Sequence, residues 1–335
     1  MSKQHQPEQV SPPKRRGRGC LVWIGGMVAV VVGLILLGMW YESVAEAADL
    51  RAYPPPGQMV DVGGYRLHIN CVGAGSPTVV IDAGLGDWSA SWSNRVQPEA
   101  ARTTRVCTYD RAGMGWSEPG PLPRTATHFA QELHILLHNA RIPGPYVLVG
   151  HSMGGLTVRV FAHAYAAGVA GVVLIESMHP RQAKPSTTAT PPQAAPASRL
   201  SIYTLPARIG LLRLLAGPLD LKSGLSPEVA NAYVAFSVVP RSIQTYIDEG
   251  KGMPESLAQA GAVTSFGAVP LIVLSRGQDQ EQRWQEMQAD LLHLSSNSQH
   301  LIADQSGHNV QLDQPAAAVE AIVKMVEQIR RKAVQ

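Results

Sequence analysis

A serine between two glycines, in Gly150-His151-Ser152-Met153-Gly154, has the residue types and spacing needed for nucleophilic chemistry. The apolar run 146–149 before it predicts a β-strand, and the segment from Gly155 to about Ala167 predicts a helix. A tight strand-to-helix turn lifts the serine hydroxyl clear of the sheet edge, and the glycines allow the crowded backbone. The pattern predicts a nucleophile elbow at Ser152, with an ordinary glycine-rich turn as the alternative.

A serine hydroxyl is a weak nucleophile and needs a base within hydrogen-bond reach. Five histidines follow Ser152, at positions 163, 179, 293, 300 and 308. His308 lies in Ser306-Gly307-His308-Asn309, which predicts a turn between the last strand and the last helix. Loops at the carboxyl ends of parallel strands converge over one site, so we predict that His308 is the base.

A third residue, a carboxylate, should hold the imidazole of the base in the required tautomer. Glu176 ends the apolar run 169–175, and Asp279 follows the apolar run 269–274. Both come between the serine and the histidine, as this kind of site requires. We favour Glu176, because a carboxylate that ends a buried strand is costly unless it is paired. Asp279 remains the alternative acid.

Two backbone N–H groups should stabilise the negative charge that develops on an attacked carbonyl oxygen. One should come from Met153, the residue after the nucleophile. The other should come from Leu85, in the turn Ala83-Gly84-Leu85-Gly86. We interpret the flanking Asp82 and Asp87 as turn-forming residues.

Apolar strand-like runs alternate with helical segments through most of the chain. Such runs lie at 59–62, 65–71, 77–82, 104–109, 146–149, 169–175, 269–274 and 299–302, and helical segments lie at 126–140, 283–294 and 316–331. Strands that are apolar along their whole length are typical of a mostly parallel sheet with helices on both faces. The fold class predicted is therefore α/β.

The alternation stops between residues 179 and 265. Residues 180–197 are rich in Pro, Ala, Thr and Ser, and later segments such as 200–215 and 227–237 predict helices. We predict a core at 58–178 and 266–335 with a helical lid at 179–265; a structural cover for a sheet edge is the alternative. The lid leucines predict an apolar substrate pocket, with packing against the core as the alternative; they are Leu211, Leu212, Leu214, Leu215 and Leu219.

The N-terminal region predicts a membrane anchor. Residues 1–19 carry five basic residues and one acidic residue, and 20–41 contain no charged residue. About twenty apolar residues are long enough to cross the hydrocarbon layer, and the basic flank predicts a cytoplasmic tail with the rest outside. The Pro-rich segment 42–57 predicts a linker. The alternative is a secreted protein cleaved near Ala47, since Ala45-Glu46-Ala47 resembles a signal-peptidase site.

Charge and composition narrow the partners. The formal net charge is +3, but the basic tail supplies +4, so the rest of the chain is near neutral. This argues against nucleic-acid binding. No clustered His/Cys ligand set is present, so no metal or cofactor is expected. Cys71 and Cys107 each end a strand-like run; in an oxidising compartment they could pair, and otherwise they are two buried thiols.

Four motifs resemble the α/β-hydrolase superfamily, and the resemblance covers residues 58–335. They are Asp82-Ala83-Gly84-Leu85-Gly86 with Trp88 and Trp92, the segment 109–117 beginning Tyr109-Asp110-Arg111, the segment 150–155, and Ser306-Gly307-His308. The resemblance implies an eight-stranded sheet in which the strands of Cys71 and Cys107 are neighbours, which favours a disulfide. Many members have a histidine where this chain has Ala83.

The resemblance also bears on the branch of the superfamily. A serine at the elbow is unlike the haloalkane dehalogenases, which use an aspartate, although an acid at Glu176 is similar to theirs. The sequence as a whole predicts a membrane-anchored serine hydrolase of the esterase/lipase-like branch, acting on an apolar acyl substrate. An acyltransferase with the same three residues and a non-catalytic ligand-binding protein are the alternatives.

Overall fold

A computed structural model describes residues 17–182, 204–217, 224–279 and 281–334. Within these residues, eight strands form one sheet in the order β1-β2-β4-β3-β5-β6-β7-β8. The strands are β1 (Gln58–Asp61), β2 (Arg66–Val72), β3 (Thr78–Asp82), β4 (Val106–Tyr109), β5 (Tyr146–His151), β6 (Val169–Ile175), β7 (Leu271–Arg276) and β8 (Ser298–Ala303).

The sheet is mostly parallel, as the sequence predicts. Only the β1–β2 and β2–β4 pairs are antiparallel in the described sheet, and the five remaining pairs are parallel. The central strands β3 and β4 are buried along their whole length, because helices cover both faces. All carboxyl ends from β3 to β8 therefore meet at one edge, which we call the carboxyl edge. The predicted α/β class and eight-stranded sheet are confirmed.

Helices cover both faces of the sheet. The α-helices of the described residues are α1 (Gly17–Ala52), α2 (Ser89–Ser93), α3 (Val96–Ala100), α4 (Ala126–Asn139), α5 (Gly154–Ala164), α6 (Leu205–Arg208), α7 (Leu211–Leu215), α8 (Pro227–Ser237), α9 (Pro240–Ala262), α10 (Gln282–Leu291), α11 (Val310–Asp313) and α12 (Pro315–Val334). Helices α4 and α5 pack on one face of the sheet, through Phe129 and Phe161 among others. Helices α3 and α12 pack on the other face.

The segment predicted as a lid holds α6 to α9. Its residues 183–203 and 218–223, which include Leu219 and the start of the helix predicted at 200–215, lie outside the described residues. The rest of that helix is divided into α6 and α7, because Gly210 between them has φ +73°, a left-handed backbone that ends a helix. The long helix α9 packs on the body, where Ser256 Oγ accepts a hydrogen bond from the N–H of Ala126 at the start of α4.

Helix α1 is longer than the predicted membrane segment. The segment predicted as a linker, 42–57, is helical as far as Ala52, because residues 43–52 contain four alanines and no proline or glycine. The helix ends just before the prolines that begin at Pro54. Among the described residues, Val22–Ala52 is the one helix long and apolar enough to cross a membrane, by length and composition.

Cys71 and Cys107 lie directly opposite each other on the antiparallel strands β2 and β4. Their sulfur atoms form a disulfide, with the two Cα atoms 4.0 Å apart. The link joins residues 36 positions apart in the sequence and lies away from the carboxyl edge. It ties the antiparallel margin of the sheet to its parallel centre.

Candidate active site

The turn that carries Ser152 lies between β5 and α5, at the middle of the carboxyl edge. Ser152 has φ +52°, a left-handed backbone that a non-glycine residue seldom adopts. The turn is closed by tight backbone contacts, since a Cβ on Gly150 would lie 2.7 Å from the N atom of Gly155, and one on Gly154 would lie 2.7 Å from the Ala83 carbonyl oxygen. Glycine is therefore required on both sides, which is why this signal was visible in the sequence.

His308 lies in the loop between β8 and α11, and its ring meets Ser152. His308 Nε2 is 3.1 Å from Ser152 Oγ. The loop is held on both sides: the N–H of Gly307 donates to Asp313 Oδ2 at 3.0 Å, and His151 Nε2–H donates to the His308 carbonyl oxygen at 2.9 Å. The imidazole is 39% exposed, so it is reachable from solvent.

Glu176 follows β6 and lies on the other side of the His308 ring. Its Oε2 is 3.2 Å from His308 Nδ1, which places the ring proton on Nδ1 and leaves the Nε2 lone pair facing Ser152. The carboxylate is fully buried and accepts two further hydrogen bonds at Oε1, from the Arg276 N–H at 2.8 Å and the Trp284 indole N–H at 3.1 Å. Arg276 Nη1 also lies 3.3 Å from Oε2.

These contacts set the charge of Glu176. Burial by itself would raise the pKa of the carboxyl, but the hydrogen bonds from His308, the Arg276 backbone and Trp284 outweigh it, and the pKa is lowered below its ordinary value. Glu176 is therefore a carboxylate at neutral pH, fixed in position by four donors. That is the state needed to orient an imidazole and to offset its positive charge.

Asp279, the alternative acid, lies elsewhere. Like Glu176 it follows a core strand and has a positive φ, +50° against +43°. Its side chain is exposed at the surface, and the hydrogen bonds of His308 go to Glu176 and Ser152. The structure brings Ser152, His308 and Glu176 together and leaves Asp279 outside this group.

The remaining histidines after Ser152 have other surroundings. His163 and His293 are exposed, His179 Nε2 lies 2.9 Å from Asp290, and His300 Nε2 lies 2.8 Å from Ser275 Oγ. None of these contacts includes Ser152. Within the described ranges, no group of three His, Cys, Asp or Glu side chains is arranged to hold a metal ion.

The two predicted oxyanion donors come from Met153, the residue after Ser152, and from Leu85, in a turn that contacts Ser152. The turn 83–86 packs against the elbow, since a Cβ on Gly84 would lie 3.3 Å from Ser152 Cβ. In the part of the chain that the structure describes, neither the Leu85 N–H nor the Met153 N–H donates to a protein acceptor. Two backbone donors without partners beside a nucleophile are what an oxyanion hole requires.

Arg111 fixes the turn that carries Leu85, and the sequence analysis gave it no role. Its guanidinium donates to the carbonyl oxygens of Ala83 at 2.7 Å and Gly84 at 2.6 Å. It also pairs with Asp82 Oδ1 and with Glu249 Oε1, each at 2.7 Å. Arg111 is 2% exposed, and Asp82 and Glu249 are 1% and 0% exposed. A buried arginine without partners would be very costly, so the burial of Arg111 requires the two carboxylates that surround it.

Glu249 brings the lid segment into this network. It comes from α9, and besides pairing with Arg111 its Oε2 accepts a hydrogen bond from the Gly86 N–H at 3.4 Å. Tyr246, one turn before Glu249 in α9, places its ring directly against Gly86. Helix α8 covers the following residues, with Tyr233 stacked on Trp88 at 5.7 Å between ring centroids. The turn that carries Leu85 is thus held by Arg111 and by residues of α8 and α9.

His151, next to the nucleophile, stays uncharged. It is buried, and its ring centroid lies 5.0 Å from that of His308. Burial, together with the positive charge that His308 can carry, lowers the pKa of His151 to about 4. A neutral His151 holds the His308 backbone without adding a charge that would oppose protonation of His308.

The chain is similar to known proteins over this region. Residues 77–315 match a family model described as alpha/beta hydrolase fold. An uncharacterized protein of Schizosaccharomyces pombe is 28% identical over 187 residues, which is 46% of this chain and 35% of that protein. An uncharacterized vacuolar membrane protein of Saccharomyces cerevisiae is 32% identical over 133 residues, 34% of this chain and 20% of that protein. The chain thus spans about a third or less of the length of these relatives.

Solved structures agree on the fold. A thermophilic esterase from Thermogutta terrifontis superposes with a TM-score of 0.61 at 22% identity, over 81% of this chain and 98% of that chain. At this identity the likeness concerns the fold alone.

Proposed function

Because the chain belongs to the α/β-hydrolase fold family, and because a serine, a histidine and a buried carboxylate meet at its carboxyl edge, we propose that it is a serine hydrolase of carboxylic esters or related acyl compounds. The observation that carries the proposal is the continuous hydrogen-bonded series from Ser152 through His308 to Glu176. The hydrogen bonds run in the order that nucleophilic catalysis by a serine needs, with the carboxylate behind the histidine and the histidine behind the hydroxyl.

The reaction follows from the geometry. Ser152 Oγ attacks the carbonyl carbon of the substrate while its proton passes to His308 Nε2. The carbonyl oxygen gains the negative charge and accepts hydrogen bonds from the Met153 and Leu85 N–H groups. The bond to the leaving group then breaks, and His308 returns the proton to the leaving oxygen. Water repeats the sequence on the acyl-enzyme, releasing the acid and free Ser152.

Glu176 takes the role of the third residue in this proposal. It keeps the proton of His308 on Nδ1 and stabilises the imidazolium while His308 holds the second proton. Its lowered pKa means that it remains charged through the weakly acidic range. Asp279 is exposed and separate, so it serves as the comparison residue in the test.

Helix α1 serves, in the same proposal, as a single-pass anchor that leaves the hydrolase core outside the cytoplasm. The support is its apolar stretch, whose side chains are exposed along residues 22–34, together with the basic residues that precede it. The Cys71–Cys107 disulfide suits an oxidising compartment. Helix α1 continues without a break through Ala47. It pairs with Arg213 of the lid segment both before Ala47, through Glu42, and after it, through Asp49, which favours an anchor that is kept over cleavage near Ala47.

The proposal is tested with the full chain in detergent and short p-nitrophenyl esters as substrates. Ser152→Ala and His308→Ala should each lose nearly all turnover, and Glu176→Gln should lose far more than Asp279→Asn. Hydrolysis that survives Ser152→Ala would contradict the proposal. Product analysis with an added alcohol separates a hydrolase, which forms free acid, from an acyltransferase, which forms a new ester.

A further inference from the structure

Helix α7 presents three leucines to solvent. Leu211, Leu214 and Leu215 are 40%, 66% and 41% exposed, and Leu205 on the adjoining helix α6 is 38% exposed. A single exposed leucine is ordinary on a protein surface, but several on two short neighbouring helices form an apolar patch. We call Leu205, Leu211, Leu214 and Leu215 the leucine patch. The patch lies in the lid segment and has no role in the site described above.

The leucine patch is next to helix α1. A Cβ on Gly38 of α1 would lie 2.7 Å from the carbonyl oxygen of Ile209, which joins α6 to α7. Gly210 packs against the ring of Tyr41. Only glycine allows so close an approach, so the α6–α7 connection is seated directly on the surface of α1.

The side of α1 that faces the protein follows a helical spacing. From residue 35 to residue 42 the less exposed positions, Ile35, Gly38 and Glu42, recur every three or four residues, and residues 45–47 and Asp49 continue the same side. Ile35 and Gly38 belong to the uncharged run 20–41, so the contact with the lid segment begins inside that run.

This contact sets the level of the leucine patch relative to a bilayer. Gly38 lies three residues before the end of the uncharged run at Tyr41, or about 5 Å along a helix axis. A run of about twenty residues matches the thickness of the hydrocarbon layer. If the run spans that layer, Ile209 and Gly210 lie at its outer boundary, and α7 begins there.

The charge of α7 is directed away from its leucines. Arg213, its one charged residue, donates to both carboxylate oxygens of Glu42 at 2.9 and 3.0 Å and to Asp49 Oδ2 at 2.6 Å. Glu42 is 3% exposed. A charged side chain near the hydrocarbon boundary is tolerated when it is paired. The outward face of α7 is then left with leucine side chains alone.

We propose that the leucine patch contacts the acyl chains of the outer leaflet of the bilayer that α1 crosses, so that the lid segment is held on the membrane at a fixed level. This rests on the anchor role proposed for α1 and on nothing in the catalytic proposal. The occupant is a lipid surface because the patch is continuous with the apolar surface of α1 and lies at the depth where that surface ends.

The test places a fluorescent probe at defined positions of the full chain. Three variants of the Cys20→Ser chain each carry one added cysteine, through Leu214→Cys, Val31→Cys or Ile302→Cys. Each added cysteine is labelled with an NBD fluorophore. Ile302, on the edge strand β8, is 45% exposed and is the matched control, and Val31 lies in the middle of the uncharged run. The labelled proteins are reconstituted in phosphatidylcholine vesicles, with and without bromine on the acyl chains.

Bromine quenches only probes in contact with acyl chains. We expect quenching by about half or more at Leu214 and Val31, and little at Ile302. Quenching at Val31 with none at Leu214 would overturn the lipid contact and leave the anchor intact. No quenching at Val31 would overturn both. A probe at Leu214 that is shielded from water but not quenched would mean that another protein surface covers the patch. Leu215→Cys repeats the test from a neighbouring position.

Discussion

The carboxyl edge and the contact between the lid segment and α1, which we call the lid–α1 contact, are both held by an arginine between two carboxylates. At the carboxyl edge Arg111 pairs with Asp82 and Glu249, and all three are at most 2% exposed. At the lid–α1 contact Arg213 pairs with Glu42 and Asp49, with Arg213 and Asp49 14% and 19% exposed.

The difference in exposure predicts a difference in consequence. At the lid–α1 contact Glu42 is also buried, at 3% exposed, but Arg213 and Asp49 are partly exposed, so water can reach the cation when one partner is lost. Water does not reach the Arg111 cluster, so a lost partner leaves a buried charge uncompensated. The same residue types thus serve a fixed scaffold in one region and an adjustable contact in the other.

Matched Glu→Gln substitutions in the two regions should give the largest contrast. Glu176→Gln keeps the size of the side chain but removes the charge that orients His308. We expect kcat/KM for a short ester to fall by about 10³- to 10⁴-fold. Glu42→Gln should leave kcat/KM for a soluble short ester within about twofold. Equal losses in the two variants would break the comparison.

Arg111→Met and Arg213→Met compare the two arginines directly. Arg111→Met leaves Asp82 and Glu249 buried without a cation, and we expect the free energy of unfolding to fall by about 3–5 kcal/mol. Arg213→Met should cost less, about 1–2 kcal/mol, because Asp49 is partly exposed although Glu42 is buried. Urea denaturation followed by circular dichroism measures both. A larger loss of unfolding free energy for Arg213→Met than for Arg111→Met would mean that the lid–α1 contact, and not the Arg111 cluster, is the more rigid support.

His151 predicts how stability depends on pH. The unfolded chain binds a proton at this histidine below about pH 6.5, but the folded chain does so only below about pH 4. Stability should therefore decline as the pH falls from about 6.5 to about 4, by on the order of 3 kcal/mol from this residue. His151→Gln should flatten that decline, whereas His163→Gln, on the exposed side of α5, should not. The check is to measure unfolding midpoints of both variants across this pH range; equal declines in the two would contradict the role given to His151.

Glu249→Gln should give a smaller effect on rate. Glutamine can still accept from Arg111 or from the Gly86 N–H, but the weaker contact loosens the turn that carries Leu85. We expect kcat to fall about tenfold with KM nearly unchanged, because the Leu85 N–H acts on the transition state. Glu249→Asp keeps the negative charge on a shorter side chain, so comparing the two variants separates the effect of the charge from that of the side-chain length. A change confined to KM would place Glu249 in substrate binding.

The sequence was informative where structure is local. The tight turn at Ser152 needs glycines nearby in the chain, and the loop of His308 is recognisable by its position between strand and helix. The sequence favoured Glu176 over Asp279 through the cost of burying an unpaired carboxylate, but it left Asp279 as an alternative, because both follow core strands. The surroundings of Glu176 depend on donors from distant residues, the Arg276 backbone and Trp284.

The pairing of Arg111 with Glu249 could not be predicted from the sequence for the same reason. Arg111 and Glu249 are 138 residues apart, and each alone is an unremarked charge in the sequence. By contrast, the predicted linker proved to be helical as far as Ala52, and the reason is local, since residues 43–52 contain four alanines and no proline or glycine. Long-range pairing explains the Arg111 cluster, and local propensity explains this part of α1.

The central claim is that Ser152 is an activated nucleophile, and covalent labelling tests it most directly. The full chain, Ser152→Ala and His308→Ala are treated with a fluorophosphonate, digested and mapped by mass spectrometry. We expect one adduct, on the peptide that contains Ser152, lost in Ser152→Ala and reduced at least a hundredfold in rate in His308→Ala. A folded wild-type chain that forms no adduct, or forms it on another serine, would contradict the claim.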